Sequence, residues 1–532
     1  MRKFKSSIIS KKPSKSIKKA KSKVVTNVKK EAPKAKPIFK FPPSIYQKAI
    51  YQEIETGTEN LIVNAVAGAG KTTTILNSMQ FISSNSKVCF LAFNKLIANE
   101  LKEKISRSNV DVSTFHSICL KSIFRKRKVN ISSTKNKDII NANIDFKGQD
   151  MRPYYGLAKR YLGIAKNEGV GVLYNLSNTV ETFRFIQNKH PFHPCAAKSI
   201  EDFNIDLFNE FLVHCLSLSL KDKFNIDFDD MLLYSLDKGI YFKKYDYIFV
   251  DEVQDLNKIQ IAILKKMIRK GRLIAVGDPK QAIYGFRGSD SKSFFNVRDS
   301  FNCKELPLSV SYRCPKQIVK EAQGIVPHIK SGKSEEGIVE RLETYKSNLF
   351  LNKKSAIISR KNSSLVRFAY ELIANDVPCK ILGKDISLDI VSFIKKFKCV
   401  TVSELLEKID SPEIKNGKNR ADDKIELVKV FYENLTKQVS SRLAMHWPVD
   451  IFTSKIEQFF DSCKDGILLS TVHKTKGSEF DTVFILNIDE FNPAWVVGDQ
   501  KIQETHLVYV AITRAKKSLY YISNGRFQKE VI

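Results

Sequence analysis

The chain has nine cysteines in 532 residues, yet no two of them form a C-x-x-C pair. Disulfide frameworks and structural zinc sites usually show closely spaced cysteines, so this absence favours a reducing, intracellular compartment. No apolar run reaches the ~20 residues that a membrane-spanning helix needs. The N-terminal residues do not resemble a signal peptide either. A secreted disulfide-rich protein and a membrane protein are therefore not expected.

One group of possible metal ligands remains after that exclusion. His190, His193 and Cys195 lie close together, with His214 and Cys215 further along the chain. Their spacing matches no standard zinc motif, and two prolines within the first group indicate a loop. We expect an ordinary loop followed by a buried helical segment, with a metal site as the alternative.

Acidic residues are scarce relative to basic ones, and the imbalance is uneven. The chain has 88 Lys and Arg against 57 Asp and Glu, a formal net charge of +31. Residues 1–40 alone contain fifteen Lys and Arg and a single acid, Glu31, and contribute +14. Such an excess indicates a polyanionic partner, most simply nucleic acid.

Residues 1–40 also lack a sustained apolar face and contain several prolines, which predicts a disordered basic arm. Three roles stay open for this arm: a tether that raises the affinity for nucleic acid, a nuclear import signal, or a solubilising tail. The first two agree with a location in a nucleus or at a viral replication site.

A glycine-rich loop is the most informative feature that is present. Residues 65–72 read Ala-Val-Ala-Gly-Ala-Gly-Lys-Thr and lie between an apolar strand and a predicted helix. Such a loop binds phosphates through backbone N–H groups and the positive end of the helix dipole. Lys71 is expected to reach the β- and γ-phosphates, and the Thr72 hydroxyl to hold Mg²⁺. Ala65 replaces the usual first glycine. The expected nucleotide contacts in this loop are Ala67, Gly68, Ala69, Gly70, Lys71, Thr72 and Thr73.

A second apolar strand ends in a pair of carboxylates. Asp251 and Glu252 follow the run Tyr247 to Val250. An NTPase needs this arrangement opposite its phosphate loop. We expect Asp251 to bind Mg²⁺, directly or through water, and Glu252 to polarise the attacking water.

Four longer stretches of the sequence stand out as candidate motifs. They are residues 251–255 (Asp-Glu-Val-Gln-Asp), 276–288 (Val-Gly-Asp-Pro-Lys-Gln-Ala-Ile-Tyr-Gly-Phe-Arg-Gly), 471–481 (Thr-Val-His-Lys-Thr-Lys-Gly-Ser-Glu-Phe-Asp) and 508–515 (Val-Tyr-Val-Ala-Ile-Thr-Arg-Ala). They resemble motifs II, III, V and VI of UvrD/Rep/PcrA-type superfamily 1 DNA helicases. Shorter matches occur in family order at residues 44–47, 93–95, 113–116 and 311–313. The wording of residues 471–481 and 227–232 is most similar to the F-box helicase branch, although no F-box is apparent upstream.

Alternating apolar strands and helices at both ends of the chain predict an α/β protein with two sheets, each interrupted by a helical insertion. The resemblance implies that these sheets are parallel and belong to two RecA-like motor domains. The expected divisions are a disordered basic arm (1–40), a first motor domain (41–120 and 225–310), its helical insert (121–224), a second motor domain (311–385 and 465–532) and a reduced helical insert (386–464).

The resemblance also implies roles around ATP. Arg313 and Arg514 would project from the second motor domain onto the γ-phosphate as arginine fingers. Gln281 would sense the γ-phosphate and link hydrolysis to motif III. Towards the nucleoside, Gln47 would read the adenine edge, Tyr312 would stack on adenine and Glu479 would approach the ribose. Lys71, Asp251 and Glu252 complete the expected catalytic set.

Contacts to nucleic acid are implied at a second group of positions. Tyr284, Phe286 and Arg287 match the motif III platform that contacts bases, where many relatives have tryptophan in place of Phe286. A single strand held in this way gains affinity from aromatic stacking combined with basic side chains. For Phe93 a core position is equally open. The positions that match the strand path are Phe93, Thr114, His116 and His473.

The leading expectation is an ATP hydrolase that acts as a 3′→5′ DNA helicase or translocase on single-stranded DNA, with ATP and Mg²⁺ as cofactors. DNA duplex junctions are a further expected partner, and protein partners would bind through the inserts. The alternative is a translocase that strips proteins from DNA without processive unwinding, because the insert at 386–464 is much smaller than its bacterial counterpart. A nucleic-acid-binding scaffold without ATPase activity is disfavoured by the intact Lys71, Glu252, Arg313 and Arg514.

Overall fold

The computed structural model describes residues 39–173, 177–190, 204–268, 270–285, 291–411, 420–437, 441–491 and 499–527. The chain divides into two units, Met1–Lys40 and Phe41–Ile532, and the architecture described below belongs to the second. Nearly all of the expected basic arm lies outside the described residues. Phe286, Arg287, His193 and Cys195 lie outside them as well.

The first sheet begins with three strands that alternate with helices. Helix α1 starts in a capping box, in which the side chain of Ser44 accepts from the N–H of Gln47 and the side chain of Gln47 accepts from the N–H of Ser44. Asn94 and Thr114 cap α3 and α4 in the same region by accepting main-chain N–H groups. The elements are α1 (Ile45–Thr56), β1 (Leu61–Ala65), α2 (Lys71–Ser78), β2 (Val88–Ala92), α3 (Lys95–Lys104), β3 (Val110–Thr114) and α4 (Phe115–Phe124).

A mostly helical segment follows α4 and has a hydrophobic core of its own. Tyr161, Phe183 and Phe211 are fully buried in this core. Its strands are only two residues long. The elements are β4 (Asn130–Ile131), α5 (Lys135–Ala142), β5 (Asp145–Phe146), β6 (Gln149–Asp150), α6 (Tyr155–Glu168), α7 (Val180–Lys189), α8 (Ile205–Lys221) and β7 (Asn225–Ile226). The next helix, α9 (Phe228–Tyr234), belongs instead to a hydrophobic core of the first sheet.

The chain then returns to the first sheet and completes it. The added elements are β8 (Tyr247–Val250), α10 (Lys258–Met267), β9 (Arg272–Gly277), α11 (Ser293–Ser300) and β10 (Lys304–Leu308). The six strands are parallel in the order β10-β1-β9-β8-β2-β3. Because the carboxyl ends of parallel strands meet at one edge, the segments that follow β1, β8 and β9 lie side by side.

A second six-stranded sheet forms from the rest of the chain. The elements of this part of the chain are β11 (Val310–Ser311), α12 (Lys316–Ala322), β12 (Lys330–Ser331), β13 (Ile338–Tyr345), β14 (Ser355–Ser359), α13 (Asn362–Ala374), β15 (Cys379–Ile381), α14 (Lys384–Lys395), α15 (Val402–Asp410), α16 (Arg420–Thr436), α17 (Ser441–Met445), α18 (Val449–Ser462), β16 (Ile467–Thr471), α19 (Val472–Thr475), β17 (Phe480–Leu486), α20 (Asp499–Ile512) and β18 (Ala515–Phe527). The six strands of the sheet are parallel, in the order β13-β18-β17-β14-β16-β15, and β11 and β12 pair with each other outside it.

The prediction of an α/β protein with two parallel sheets is confirmed. We call the elements from α1 to β10 the first lobe and those from β11 to β18 the second lobe. One hydrophobic core runs through both lobes, with Val63 and Ile274 of the first sheet and Ile358 and Ile485 of the second among its members. Across the described part of the chain, no helix combines the length and apolar character needed to cross a membrane. The residue limits of the expected domains stay a prediction.

Candidate active site

The loop after β1 has the backbone shape of a phosphate cradle. Gly68 and Gly70 both adopt left-handed conformations, with φ of +71° and +78°, a region that side chains with a Cβ rarely enter. A Cβ at Gly68 would also collide with the Cβ of Arg313. Helix α2 starts at Lys71, so the first N–H groups of this helix and its positive dipole end face the loop. This local structure explains why two glycines precede the lysine.

Thr72 and Asp251 come together at the edge of the first sheet. The Thr72 hydroxyl donates a hydrogen bond of 3.0 Å to Oδ2 of Asp251. Burial, together with the neighbouring Glu252, raises the pKa of Asp251 to about 6. A buried carboxylate whose pKa is raised lacks full compensation by positive charge, so the pair fits a divalent cation. These are the two residues expected to hold Mg²⁺.

Glu252 is held in a strained backbone conformation beside that pair. Its φ is +53°, in the left-handed region that residues other than glycine seldom occupy. Nζ of Lys71 lies 3.8 Å from Oε1 of Glu252. Burial acts to raise the pKa of Glu252, but the positive charges of Lys71 and Lys476 outweigh this effect. The resulting pKa of Glu252 is about 2, below its usual value. The carboxylate therefore stays charged and is able to polarise a water molecule.

Two buried residues connect Glu252 to the segment after β9. The Gln254 side chain donates to the carboxylate of Glu252 and accepts from the N–H of Asp278 at 3.0 Å. Oδ2 of Asp278 accepts in turn from the amide of Gln281 at 2.8 Å. The expected γ-phosphate sensor, Gln281, is thus linked to Glu252. Our sequence reasoning gave no role to Gln254 or Asp278, although both stand inside the motifs that it quoted.

Both expected arginine fingers lie in the second lobe. Arg313 donates to Oε2 of Glu479 at 2.9 Å and to the carbonyl of Thr513 at 3.1 Å. Arg514 is fully buried and donates to the carbonyls of Val510 and Ser478, each at 3.0 Å. Burial and the charge of Arg313 lower the pKa of Arg514 to about 9. Two neighbouring cations of this kind favour an anion between the lobes.

The main chain of the second lobe also touches the phosphate loop. The N–H of Tyr312 donates to the carbonyl of Gly68 at 2.9 Å. Tyr312 as a whole is 44% exposed, so it remains accessible to a ligand. Tyr312 therefore stands beside the loop that would hold the phosphates of the same nucleotide.

Two of the residues expected to contact adenine and ribose, Gln47 and Glu479, are bonded to other protein groups. The side chain of Gln47 caps α1 and donates to the hydroxyl of Thr74 at 3.0 Å. Glu479 is bound to Arg313, as described above, and is partly exposed. The proposed roles of Gln47, Tyr312 and Glu479 towards the nucleoside stay predictions.

An aromatic pair and a lysine mark the expected strand path. The rings of Phe93 and Tyr284 are stacked, with centroids 5.6 Å apart and planes inclined by 11°. Nζ of Lys476 lies 4.7 Å from the centre of the Tyr284 ring. The same Lys476 pairs with the buried Asp255 and donates to the carbonyl of Gln281 at 2.7 Å. Sequence reasoning missed Lys476, although it lies inside the motif V segment.

The remaining strand-path positions are more dispersed. Thr114 caps α4 by accepting from the N–H of Ser117 at 3.2 Å. The ring of His116 meets the exposed ring of Phe228 edge-on, at 6.2 Å between centroids. Burial lowers the pKa of His116, so its ring is neutral near pH 7. His473 is half-buried on α19.

The described residues provide no support for the alternative metal site. Within them, no group of three or more His, Cys, Asp or Glu could hold a metal ion. His190 lies 3.5 Å from a carboxylate oxygen of Glu168, and His214 lies 3.0 Å from the amide oxygen of Asn143. His193 and Cys195 fall outside the described ranges.

Comparisons with known proteins agree with this geometry. The UvrD/REP helicase N-terminal domain matches residues 46–302, and the UvrD-like helicase C-terminal domain matches residues 390–526. A probable DNA helicase II homolog of Mycoplasma genitalium is 24% identical over 88% of this chain and 83% of its own length. The ATP-dependent DNA helicase PcrA of Staphylococcus aureus is 22% identical over 88% and 82%. F-box DNA helicase protein 1 of Schizosaccharomyces pombe is 26% identical over 87% of this chain and 55% of its own length. The chain belongs to the UvrD/REP family of DNA helicases.

Proposed function

We propose that this chain is an ATP-driven motor that moves 3′→5′ on single-stranded DNA and separates duplex strands ahead of it. The observation that carries the proposal is the composite ATP site. Lys71 and Glu252 stand on the first lobe, while Arg313 and Arg514 approach from the second. A nucleotide bound between lobes favours their closure, and its hydrolysis releases them.

The first lobe supplies the groups for hydrolysis. Lys71 is placed to neutralise the β- and γ-phosphates, and Glu252 to orient the attacking water. A divalent cation, when held by Thr72 and Asp251, supplies charge stabilisation to the phosphates. The two arginines then contribute positive charge where negative charge develops during phosphoryl transfer.

The link to DNA rests on the Phe93–Tyr284 stack and on Lys476. Stacked aromatic rings with an adjacent cation form the kind of platform on which unpaired bases stack. Lys476 belongs to the second lobe, yet it contacts Asp255 and the carbonyl of Gln281 in the first. A change in lobe position would therefore act at the same time on the ATP site and on the strand path.

The proposal is tested by ATP hydrolysis with and without single-stranded oligo(dT). The wild type should be stimulated strongly by the oligonucleotide. The variant Glu252→Gln should lose activity by roughly a thousandfold, because the amide cannot polarise water, while it still binds ATP. Glu210→Gln is the matched control, since Glu210 lies at the surface in a pair with Lys147. If oligo(dT) does not stimulate ATP hydrolysis by the wild type, the proposed motor function is refuted.

A translocase that strips bound proteins without processive unwinding is the second candidate. The small insert, whose described helices are α14 to α18, favours it. Displacement of streptavidin from biotinylated single strands, compared with separation of 3′-tailed duplexes, distinguishes the two candidates. Efficient displacement without strand separation would select the second.

A further inference from the structure

Tyr509 joins the two lobes through a single buried hydroxyl. It lies near the end of α20 and has no exposed surface. Its hydroxyl accepts a hydrogen bond of 2.9 Å from the N–H of Ala67 in the phosphate loop. The same hydroxyl donates to Oδ2 of Asp278 at 3.3 Å. One atom of the second lobe thus contacts two separate segments of the first.

These contacts extend to the groups that act on ATP. Oδ2 of Asp278, which accepts from Tyr509, also accepts from Gln281. The N–H of Asp278 donates to Gln254, whose amide donates to Glu252. The Tyr509 hydroxyl is therefore connected by hydrogen bonds to the phosphate loop, to the expected γ-phosphate sensor and to the carboxylate expected to polarise water.

The Tyr509 hydroxyl stays protonated, so it is able to donate its hydrogen bond to Asp278. Burial raises the pKa of Tyr509 well above its usual value, so the hydroxyl retains the proton that it donates. Removal of the hydroxyl would leave the N–H of Ala67 and one oxygen of Asp278 with one partner fewer in a buried place, which is costly.

Tyr509 is also linked along its own helix to the expected arginine finger, Arg514. The Thr513 hydroxyl donates to the carbonyl of Tyr509 at 2.7 Å. Nε of Arg514 donates to the carbonyl of Val510. Residues 509–514 are therefore tied together by short-range hydrogen bonds, and a shift of Arg514 carries the Tyr509 hydroxyl with it.

We propose that Tyr509 is a positioning residue whose hydroxyl couples the placement of the second lobe to Gln281 and Glu252 in the first. The inference rests on the proposed motor function and adds a residue to its coupling mechanism. Tyr509 does not need to touch ATP in this role. It sets whether the groups that do touch ATP are aligned.

Tyr509→Phe removes the oxygen and keeps the ring, so it isolates the proposed coupling. With saturating oligo(dT), kcat should fall about tenfold, whereas KM for ATP should change by less than about twofold. Tyr521→Phe is the matched control. Tyr521 is also buried, but its hydroxyl bonds to Glu321 within the second lobe at 2.8 Å. Its kcat should match the wild type.

A double-mutant cycle gives a second readout. Asp278→Asn alters the oxygen that accepts from both Tyr509 and Gln281. The combined effect of Asp278→Asn and Tyr509→Phe on kcat should be smaller than the product of the two single effects, because both changes affect the bond between Tyr509 and Asp278. Thermal unfolding identifies any loss of folded protein. A wild-type kcat in Tyr509→Phe, an equal fall in Tyr521→Phe, or fully multiplicative effects would overturn the inference. Lack of DNA stimulation in the wild type would instead count against the motor itself.

Discussion

The buried environment of Arg514 suits the phosphate contact that we propose for this residue. Its guanidinium is buried, donates to main-chain carbonyls and lies near the charge of Arg313. Holding two cations together out of water is unfavourable, and an anion placed between the lobes would offset that repulsion. The site is therefore electrostatically biased towards a phosphate.

Replacement of Arg514 by lysine tests this bias. Lysine retains the charge but loses the planar, forked donor geometry, so we expect kcat to fall by roughly a hundredfold. Arg341→Lys is the control, because Arg341 is exposed, stacks on Tyr521 and is not among the proposed phosphate contacts. Hydrolysis that is unchanged in Arg514→Lys would contradict an ATP site made by both lobes.

His506 gives the lobe contact a pH dependence. Nδ1 of His506 lies 3.0 Å from the carbonyl of Ala282, and burial, with Lys280 and Lys476, lowers the pKa of the ring to about 4. In the unfolded chain the ring of His506 binds a proton near pH 6.5, whereas in the folded chain it does so only near pH 4. The free energy of unfolding should therefore decrease as the pH falls from 6.5 to 4. His506→Asn should flatten this decrease in urea unfolding measured across that window, and an unchanged pH dependence would contradict it.

These residue roles differ in how far sequence could predict them. Lys71, Thr72, Asp251 and Glu252 each follow a strand in a short local pattern, so the sequence could predict that they form one site, and the structure brings them together. Tyr509 looks like one more apolar position on a helix, and its hydroxyl partners lie 442 and 231 residues away. No local pattern contains such contacts.

Among the elements, α9 is anchored to the helical insert by buried charges. Lys166 of α6 lies 2.7 Å from a carboxylate oxygen of Asp227 and 2.9 Å from one of Asp230. Lys135 of α5 lies 2.7 Å from Asp230 and also donates to the carbonyl of Ser219. Asp227 caps α9, so this network fixes where that helix begins.

Removal of one cation from this network should destabilise the fold. Lys166→Met leaves buried carboxylates with less compensation, and we expect a loss of about 3–5 kcal/mol in the free energy of unfolding. Lys147→Met, which breaks the exposed pair with Glu210, should have little effect. Urea unfolding measures both. Equal stability of the two variants would show that the buried charges do not anchor α9.

The same network could not be predicted from the sequence. The Asp-Phe-Asp-Asp stretch at 227–230 could be recognised as helicase-like wording, yet its lysine partners stand on other helices. The starts of α1, α3 and α4, in contrast, depend on local capping residues, which are Ser44, Asn94 and Thr114.

For the whole molecule, the two parallel sheets place their loops so that the proposed ATP site and the proposed DNA site share residues. Lys476 reaches from the second lobe to Asp255 and to Tyr284 in the first. The net charge of +31 supports association with the phosphate backbone, and that part of the binding should weaken as salt rises. In the proposed motor, Lys476 would couple the nucleotide to the DNA strand through these direct contacts.

The order of strands was beyond the reach of sequence, whereas the presence of two α/β sheets was not. Apolar runs predicted strands such as β1 and β8, but β10 pairs with β1 although nearly all of the first lobe's elements lie between them in the chain. Which strands become neighbours depends on how long connections pack, and this is decided by tertiary contacts.

The most direct test of the central claim is stopped-flow translocation along oligo(dT) of increasing length with a fluorophore at one end. With the fluorophore at the 5′ end, the delay before the signal changes should grow in proportion to oligonucleotide length after ATP is added. With the fluorophore at the 3′ end, no length-dependent delay should appear. A delay that grows with length only for the 3′ label, or no dependence on length for either label, would contradict a 3′→5′ motor.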